Sequence, residues 1–340
     1  MEPQPKIMRL GKAFLLAALV ISASVVRAQT AAEQIGAESA RLRQLLPTLK
    51  LSDDQVSAYT TSINLIDSAV GSRNLYQAMN YLQRTRVELM THEYLKAHAD
   101  IEKQGLTAFE SEWSRVGKEL AAREKSLAAK RNPQLPAAVR ALVEASLTQV
   151  QPYYQSGRLY GQNTTINAGL YYIGLAPANL DFAVFCQQLK FDLPKTSPKL
   201  KSISVQIEAL EQTAIKAFQD PNNASKQRSF ILINSALKMA RELDAEKRYA
   251  GSLKCYLDAL MEYGLVDAAT PDAQGAVAIK SQAEAMRSKL TAANSDETIG
   301  LTFLEMALAA QSEAALKRAA VIVDKVLPGY MKVQSETRNE

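Results

Sequence analysis

Apolar side chains recur at intervals of three and four residues along nearly the whole chain, and alternating apolar–polar runs of β-branched residues are almost absent. Spacing of three and four places apolar residues on one face of an α-helix, whereas strict alternation marks a half-buried strand. The pattern therefore predicts an all-α fold. The predicted helices cover residues 31–46, 53–70, 74–104, 107–131, 135–150, 178–190, 199–219, 225–244, 246–263, 272–292 and 296–326.

Several predicted helices begin at recognisable capping residues. Ser52 and Gln55 form a capping box, in which the hydroxyl accepts from an early backbone N–H and the amide side chain reaches back. Ser197 and Thr270 each precede a proline, which suits the first turn of a helix. Because short connections favour antiparallel neighbours, we expect stacked antiparallel helical hairpins, as in an α-solenoid or a hairpin bundle.

Two interruptions divide this helical pattern. Residues 151–177 are rich in tyrosine and glycine and are typical of a long connection, and residues 190–198 are typical of a linker. We therefore expect four segments along the chain. They are a signal peptide over 1–28, an N-terminal helical region over 29–150, a tyrosine- and glycine-rich connection with a helix over 151–194, and a C-terminal helical region over 195–340.

Residues 236–264 combine small and aromatic side chains at positions where two helices would pack closely. These positions are Ala240, Leu243, Tyr249, Ser252, Tyr256 and Ala259. The segment resembles one unit of the tetratricopeptide repeat, a helix–turn–helix of about 34 residues. It departs from that family in having Ala236 at the usual tryptophan position and Gly264 at the closing proline, and no second copy follows at a fixed period. The resemblance implies a tetratricopeptide-like scaffold that binds proteins or peptides without catalysis or cofactor; an ordinary helical hairpin is the alternative.

The N-terminus has the layout of a secretory signal peptide. Lys6, Arg9 and Lys12 precede an apolar stretch over residues 14–26, and Ala28 ends a small-residue cleavage site. The stretch is shorter than the roughly 20 apolar residues that a membrane-spanning helix needs. We expect cleavage after Ala28 and a periplasmic or secreted protein without stable membrane insertion; an uncleaved anchor is the alternative.

Removal of residues 1–28 also changes the charge of the chain. It takes away four of the 40 basic and one of the 35 acidic residues, which leaves 36 against 34. A nearly balanced chain does not favour a nucleic-acid partner. The two cysteines, Cys186 and Cys255, would lie in an oxidising compartment, and two packed thiols are the favoured interpretation over a disulfide.

Both histidines of the chain lie in the stretch THEYLKAHAD over residues 91–100, where Lys96 replaces the second histidine of the zinc motif H-E-x-x-H. His92 and His98 are six residues apart, whereas two histidines that share a metal on one helix are three or four apart. The helix has an apolar stripe of Val87, Met90, Tyr94, Ala97 and Ile101. His92 points away from that stripe, so we expect Glu88, His92 and Lys96 on a solvated face and no metal site.

The tyrosine-rich segment is the candidate binding site. Five of the thirteen tyrosines lie in residues 153–172, interleaved with glycines that match neither phosphate-binding motif. A tyrosine presents a flat apolar face and a polar tip, which suits peptides, sugars or an interface. A long connection anchored by its own tyrosines is the competing interpretation. The candidate partner-binding residues are Tyr153, Tyr154, Tyr160, Tyr171 and Tyr172.

No catalytic constellation stands out in the sequence. It contains no G-x-S-x-G motif, and Glu110 and Glu112 are expected to be surface charges. The sequence thus favours an exported, non-enzymatic helical scaffold or binding module for a protein or peptide partner, with no cofactor and no metal. The alternative is a protein or enzyme that acts on cell-wall glycan or peptide, and it requires a cleft where tyrosines meet a buried carboxylate. A structural role without a ligand is the third possibility.

Overall fold

A computed structural model describes residues 30–129, 132, 135–191, 200–219, 226–290 and 298–339. Within these ranges the backbone forms helices and short connections, and no strand occurs. The expected all-α class is therefore confirmed. The expected signal peptide, the capping residue Ser197 and nearly all of the linker over 190–198 lie outside the described residues.

The helices follow one another in a chain of short connections. The first seven are α1 (Ala31–Leu45), α2 (Asp53–Gly71), α3 (Leu75–Ala97), α4 (Asp100–Gln104), α5 (Leu106–Ala129), α6 (Ala137–Asn163) and α7 (Ile166–Gln188). The next are α8 (Ser204–Phe218), α9 (Gln227–Ala245), α10 (Tyr249–Leu265), α11 (Ala273–Arg287), α12 (Thr298–Leu308), α13 (Glu313–Val321) and α14 (Leu327–Asn339). A π-helical segment, Ile322–Val326, joins α13 to α14.

Local capping accounts for where several helices begin. The predicted capping box at Ser52 is present at α2, with both the hydroxyl of Ser52 and the side chain of Gln55 engaged. A second box, from Thr30, opens α1. The prediction at Thr270 was wrong, because α11 begins two residues later and the carboxylate of Asp272 accepts from its first turn.

The tyrosine- and glycine-rich segment is helical, and its prediction as a long connection was wrong. Residues 151–163 continue α6, residues 166–177 belong to α7, and only Thr164 and Thr165 separate the two helices. Pro152 and Pro177 lie inside these helices. Interior prolines and clustered glycines are signals that normally end a helix, so local sequence favoured a break that packing overrides.

The glycines of this segment serve close packing between antiparallel helices. A Cβ on Gly169 would lie 2.6 Å from the Cα of Gly161, and one on Gly161 would lie 2.1 Å from the ring of Phe109. The backbones of α6 and α7 can therefore approach closely, and the Phe109 ring of α5 fills the space over both glycines. Helix α7 is long and apolar enough to span a membrane, and 67% of that apolar window is buried within the protein.

Buried apolar side chains form two clusters. One is built from α1–α7, and the other is built mainly from α8–α14. Ala137 and Ala141, at the start of α6, belong to the second cluster although the rest of α6 belongs to the first. Helix α6 therefore reaches from one cluster into the other.

Two helical hairpins, α2–α3 and α9–α10, have the same turn. In each, a basic residue after the first helix adopts the left-handed conformation: Arg73 has a φ of 60° and Lys247 a φ of 59°. The next N–H bonds back to the first helix, from Asn74 to Ala69 and from Arg248 to Leu243. Helix α9 has the same length as α2 and begins 174 residues later. The same hairpin geometry therefore occurs twice in the chain.

Each cluster caps helices of the other. Helices α3, α6 and α10 have no side-chain cap from their own N-cap residue. Side chains of distant helices accept from their first turns instead: Glu305 from Gln77 N at 2.8 Å, Thr298 from Ala138 N at 2.9 Å, and Glu144 from Gly251 N at 2.6 Å. A buried amide at a helix start destabilises the fold when it has no hydrogen-bond partner. Because each acceptor belongs to the other cluster, these bonds stabilise the contact between the two clusters.

Candidate functional site

Four of the five candidate tyrosines meet on one surface formed by α6 and α7. Tyr160 stacks on Tyr172 with 4.5 Å between ring centroids, and Tyr153 and Tyr171 lie 6.3 Å and 5.7 Å from the same ring. Tyr160 is 39% exposed, so the cluster is open to solvent. We call Tyr153, Tyr160, Tyr171 and Tyr172 the tyrosine cluster. The sequence placed these residues near one another, but only the antiparallel packing of two helices stacks their rings.

The fifth candidate, Tyr154, lies on a different side of α6, against α5. Its ring stacks on Trp113 of α5 at 4.7 Å, and its hydroxyl donates to the Trp113 carbonyl at 3.0 Å. The Trp113 indole N–H donates in turn to the Tyr154 carbonyl at 3.2 Å. Consecutive residues on a helix point about 100° apart, so Tyr153 and Tyr154 contact different neighbours. Tyr154 is buried and outside the tyrosine cluster.

A groove of 380 Å³ adjoins the cluster between α2, α3 and α7, and we call it the tyrosine groove. Its lining includes Gln55, Tyr59, Arg84, Glu88, His92 and Tyr171. The hydroxyl of Tyr171 donates to Glu88 Oε2 at 3.0 Å, and the Tyr59 hydroxyl lies 3.2 Å from His92 Nε2. Tyr171 belongs to both features, so cluster and groove form one continuous surface.

The prediction of a solvated face for Glu88, His92 and Lys96 was wrong for Glu88 and His92, whereas Lys96 is exposed as predicted. Glu88 and His92 are half-buried in the tyrosine groove, and Lys96 donates to the Thr48 carbonyl at 2.8 Å. Helix α3 packs against α1, α2, α7 and α12, so it is covered on several sides and has no single solvated face. The expected apolar stripe also ends early, since Ala97 is exposed and Ile101 lies on the separate helix α4.

Burial and Glu88 set the electrostatics of the tyrosine groove. Burial, and next the charge of Glu88, raises the pKa of Tyr59 to about 12 and shifts the pKa values of Tyr153 and Tyr171 upward. Burial lowers the pKa of His92, and Glu88 opposes that shift. At neutral pH the phenols are therefore protonated and the imidazole is neutral.

Glu112 is buried, which corrects its prediction as a surface charge. Its carboxylate accepts from the Tyr94 hydroxyl at 2.6 Å and from two nitrogens of Arg115 at 2.7 Å each, and His98 Nε2 lies 3.2 Å away. Burial opposes ionisation of Glu112, but the bonds from Arg115 and Tyr94 hold its pKa below the ordinary value. The arrangement joins the end of α3 to α5 beside a groove of 410 Å³.

A larger groove of 750 Å³ lies between α5, α6 and the α9–α10 turn. Its lining mixes acidic side chains, such as Glu124 and Glu144, with basic ones, such as Lys247 and Arg248. Glu144 is already bonded to Gly251, and Arg248 pairs with Glu246 at 3.1 Å. The lining carries both signs of charge, so this groove shows no preferred sign of ligand.

The described ranges contain no cluster of three or more His, Cys, Asp or Glu side chains that could hold a metal ion. Cys186 and Cys255 are buried, free and in different apolar clusters. Burial raises the pKa of both thiols, that of Cys255 to about 12, which disfavours the reactive thiolate. The interpretation of two packed thiols is thus confirmed.

Comparison with protein-family models, curated proteins and solved structures finds no match to this chain.

Proposed function

We propose that this protein is an exported, non-enzymatic helical binding module, and that a protein or peptide partner binds at the tyrosine cluster and the adjoining tyrosine groove. The observation that carries the proposal is the convergence of Tyr59, Tyr160, Tyr171 and Tyr172, from three helices, on one solvent-accessible surface. Tyrosines are enriched at interfaces because a rigid ring contributes apolar area and its hydroxyl a hydrogen bond.

The repeated hairpin supports a scaffold role. The segment that resembles a tetratricopeptide unit, residues 236–264, spans the α9–α10 turn, and α2–α3 has the same turn geometry. Helical scaffolds built from such hairpins present extended surfaces to other chains. A tetratricopeptide-like arrangement is thus part of the proposal.

The glycan-directed alternative ranks second. Its required cleft is present in part, because the tyrosine groove brings Tyr59 and Tyr171 to a carboxylate, Glu88, that is half-buried. Glycoside hydrolysis generally uses two carboxyl groups, roughly 5 to 10 Å apart. Glu88 is the single acidic side chain in the described lining of this groove, and it already accepts from Tyr171. This arrangement favours binding over catalysis.

Site-specific crosslinking in the native host tests the binding role. A photoreactive residue at position 160 should capture a partner, and a second copy with Tyr172→Ala should lose most of that capture. Leu232→Ala on α9, at a side chain that is 45% exposed, is the matched control and should leave capture unchanged. Equal capture by all three proteins would reject the tyrosine surface.

Mass spectrometry of the mature protein tests export. We expect a chain that begins at Gln29, one residue before the capping box that opens α1. Replacing the small cleavage residue, Ala28→Leu, should block processing and leave the protein in the membrane fraction. A full-length chain that begins at Met1 in the wild-type cell would contradict this part of the proposal.

A further inference from the structure

The lining of the tyrosine groove includes two tyrosines and one acidic side chain. Tyr59 and Tyr171 flank it, and Glu88 lies beside Tyr171 with 3.0 Å between the hydroxyl oxygen and Oε2. The phenols and the imidazole of His92 are uncharged at neutral pH, for the reasons given above. Glu88 therefore contributes the negative charge within the groove.

The charge of Glu88 is not neutralised by a neighbouring base. Among the described residues, no ion pair joins Glu88 to a basic side chain, whereas Arg86 on the other side of α3 pairs with Glu38 at 2.7 Å. Arg84 borders the groove, but its residue is exposed. Arg84 is the one basic side chain in the described lining, and it forms no ion pair with Glu88. Glu88 is thus a half-buried acid of the groove without an ion pair.

Aromatic faces beside a carboxylate bind cations. A lysine or arginine head group is attracted to the ring faces and to the carboxylate, while its aliphatic stem packs on apolar surface. The open volume of 380 Å³ lies at the small end of the range for ligand sites, about 300 to 1,000 Å³. One extended side chain fits this space better than a folded peptide segment.

We propose that the tyrosine groove binds a basic side chain of the partner, with its cationic group at Glu88 and its aliphatic stem between Tyr59 and Tyr171. This inference rests on the proposed binding function and specifies the chemistry of the partner: a protein or peptide that presents an accessible lysine or arginine. His92 lies in the same groove as a neutral hydrogen-bonding partner of Tyr59.

Titration of the full chain with two matched probes tests the inference. The probes are Nα-acetyl-lysine N-methylamide and Nα-acetyl-norleucine N-methylamide. They share the aliphatic side-chain stem, and only the lysine probe carries an ammonium group. Amide chemical shifts should change at Tyr59, Glu88, His92 and Tyr171 with the lysine probe. Its affinity should exceed that of the norleucine probe by about five-fold or more, the effect of one charge about 4 Å from an ammonium in water. The difference should shrink as ionic strength rises.

Charge variants complete the test. Glu88→Gln retains an acceptor for Tyr171 and removes the charge, so the preference for the lysine probe should fall below about two-fold. Glu102→Gln, at an exposed residue of α4, removes the same charge elsewhere and should retain the preference. Equal affinities of the two probes for the wild-type chain, or an unchanged preference in Glu88→Gln, would overturn the inference.

The outcome is separable from that of the proposed function. Capture at position 160 that depends on Tyr172, together with no preference for the lysine probe, would keep the binding module and reject the basic side chain as its ligand. If capture at position 160 does not depend on Tyr172 and the lysine probe is not preferred, both proposals are rejected.

Discussion

Glu305 Oε2, on α12, accepts a hydrogen bond from the backbone N–H of Gln77, 228 residues earlier in the chain, at 2.8 Å. Gln77 lies in the first turn of α3, and Asn74, the N-cap residue, supplies no side-chain cap there. A side-chain carboxyl oxygen at a helix N-terminus satisfies an amide that has no partner within the helix. The contact therefore stabilises α3 and at the same time holds the two apolar clusters together.

Removal of this carboxylate should destabilise the fold. Glu305→Ala leaves buried amides of α3 without their acceptor, so we expect a loss of about 1–3 kcal/mol in the free energy of unfolding, measured by urea denaturation. Glu313→Ala, at an exposed acid in the first turn of α13, is the control and should change it by under about 1 kcal/mol. Similar losses in the two variants would show that α3 does not depend on Glu305.

The same residue should make stability depend on pH. Burial raises the pKa of Glu305 to about 8, against the opposing bonds from the backbone of Gln77 and Tyr76. Between pH 4.5 and 8 the folded state then binds more protons at this residue than the unfolded state, so its contribution to stability is full below pH 4.5 and declines as the pH rises to 8. Glu305→Gln should remove that decline. The difference between wild type and variant in the free energy of unfolding, followed against pH, separates the contribution of Glu305 from that of other carboxylates. Parallel pH curves for wild type and variant would contradict the shift.

Glycine substitutions should separate packing from helix propensity. Gly161→Ala places a methyl group 2.1 Å from the Phe109 ring, and we expect a loss of about 1–3 kcal/mol in the free energy of unfolding, measured by heat or urea. Gly36→Ala on α1 meets no atom within 4 Å and should instead stabilise the protein by about 0.5–1 kcal/mol. Equal effects at both positions would mean that the α6–α7 contact is not tight.

Tyr154 and Tyr160, six residues apart on α6, should have opposite phenotypes. Tyr154→Ala removes a buried ring stacked on Trp113, so it should cost about 3–5 kcal/mol of stability. Tyr160→Ala removes an exposed ring and should cost under about 1 kcal/mol, while it weakens partner capture. Circular dichroism melts and crosslinking yields, measured on the same preparations with the photoreactive residue at position 172, distinguish the two. A stable Tyr154→Ala protein with impaired capture would place that residue in the binding surface after all.

Much of the fold could be predicted from local sequence. The periodicity of apolar residues and the capping box at Ser52 predicted the helices from α1 to α3 and the hairpin at 236–264, because both signals act within one or two turns. Residues 151–177 were wrongly predicted to be a connection, because that prediction also rested on local signals. Proline and glycine oppose helix formation locally, whereas the close packing of Gly161 and Gly169 against Phe109 depends on contacts between helices.

The site could be predicted only in part. Four of the five candidate tyrosines form the cluster, because residues that are near one another in sequence also lie near one another across the α6–α7 hairpin. Tyr59 was missed because nothing near it in sequence signals the contact with α7. Glu88 and His92 were recognised as sharing a face, but that face was assigned to solvent. Which face of a central helix meets a neighbour depends on the packing of the other helices.

The sequence by itself determined the all-α class, most helix positions and a tyrosine-rich segment, because these follow from composition and from interactions between residues a few positions apart. The tertiary structure decided which of those tyrosines share a surface, that Glu112 is buried, and that Glu305, Thr298 and Glu144 cap helices of the opposite cluster. The three capping contacts join residues more than 100 positions apart. Their partners are selected by the burial of unpaired amides and charges, which no local pattern records.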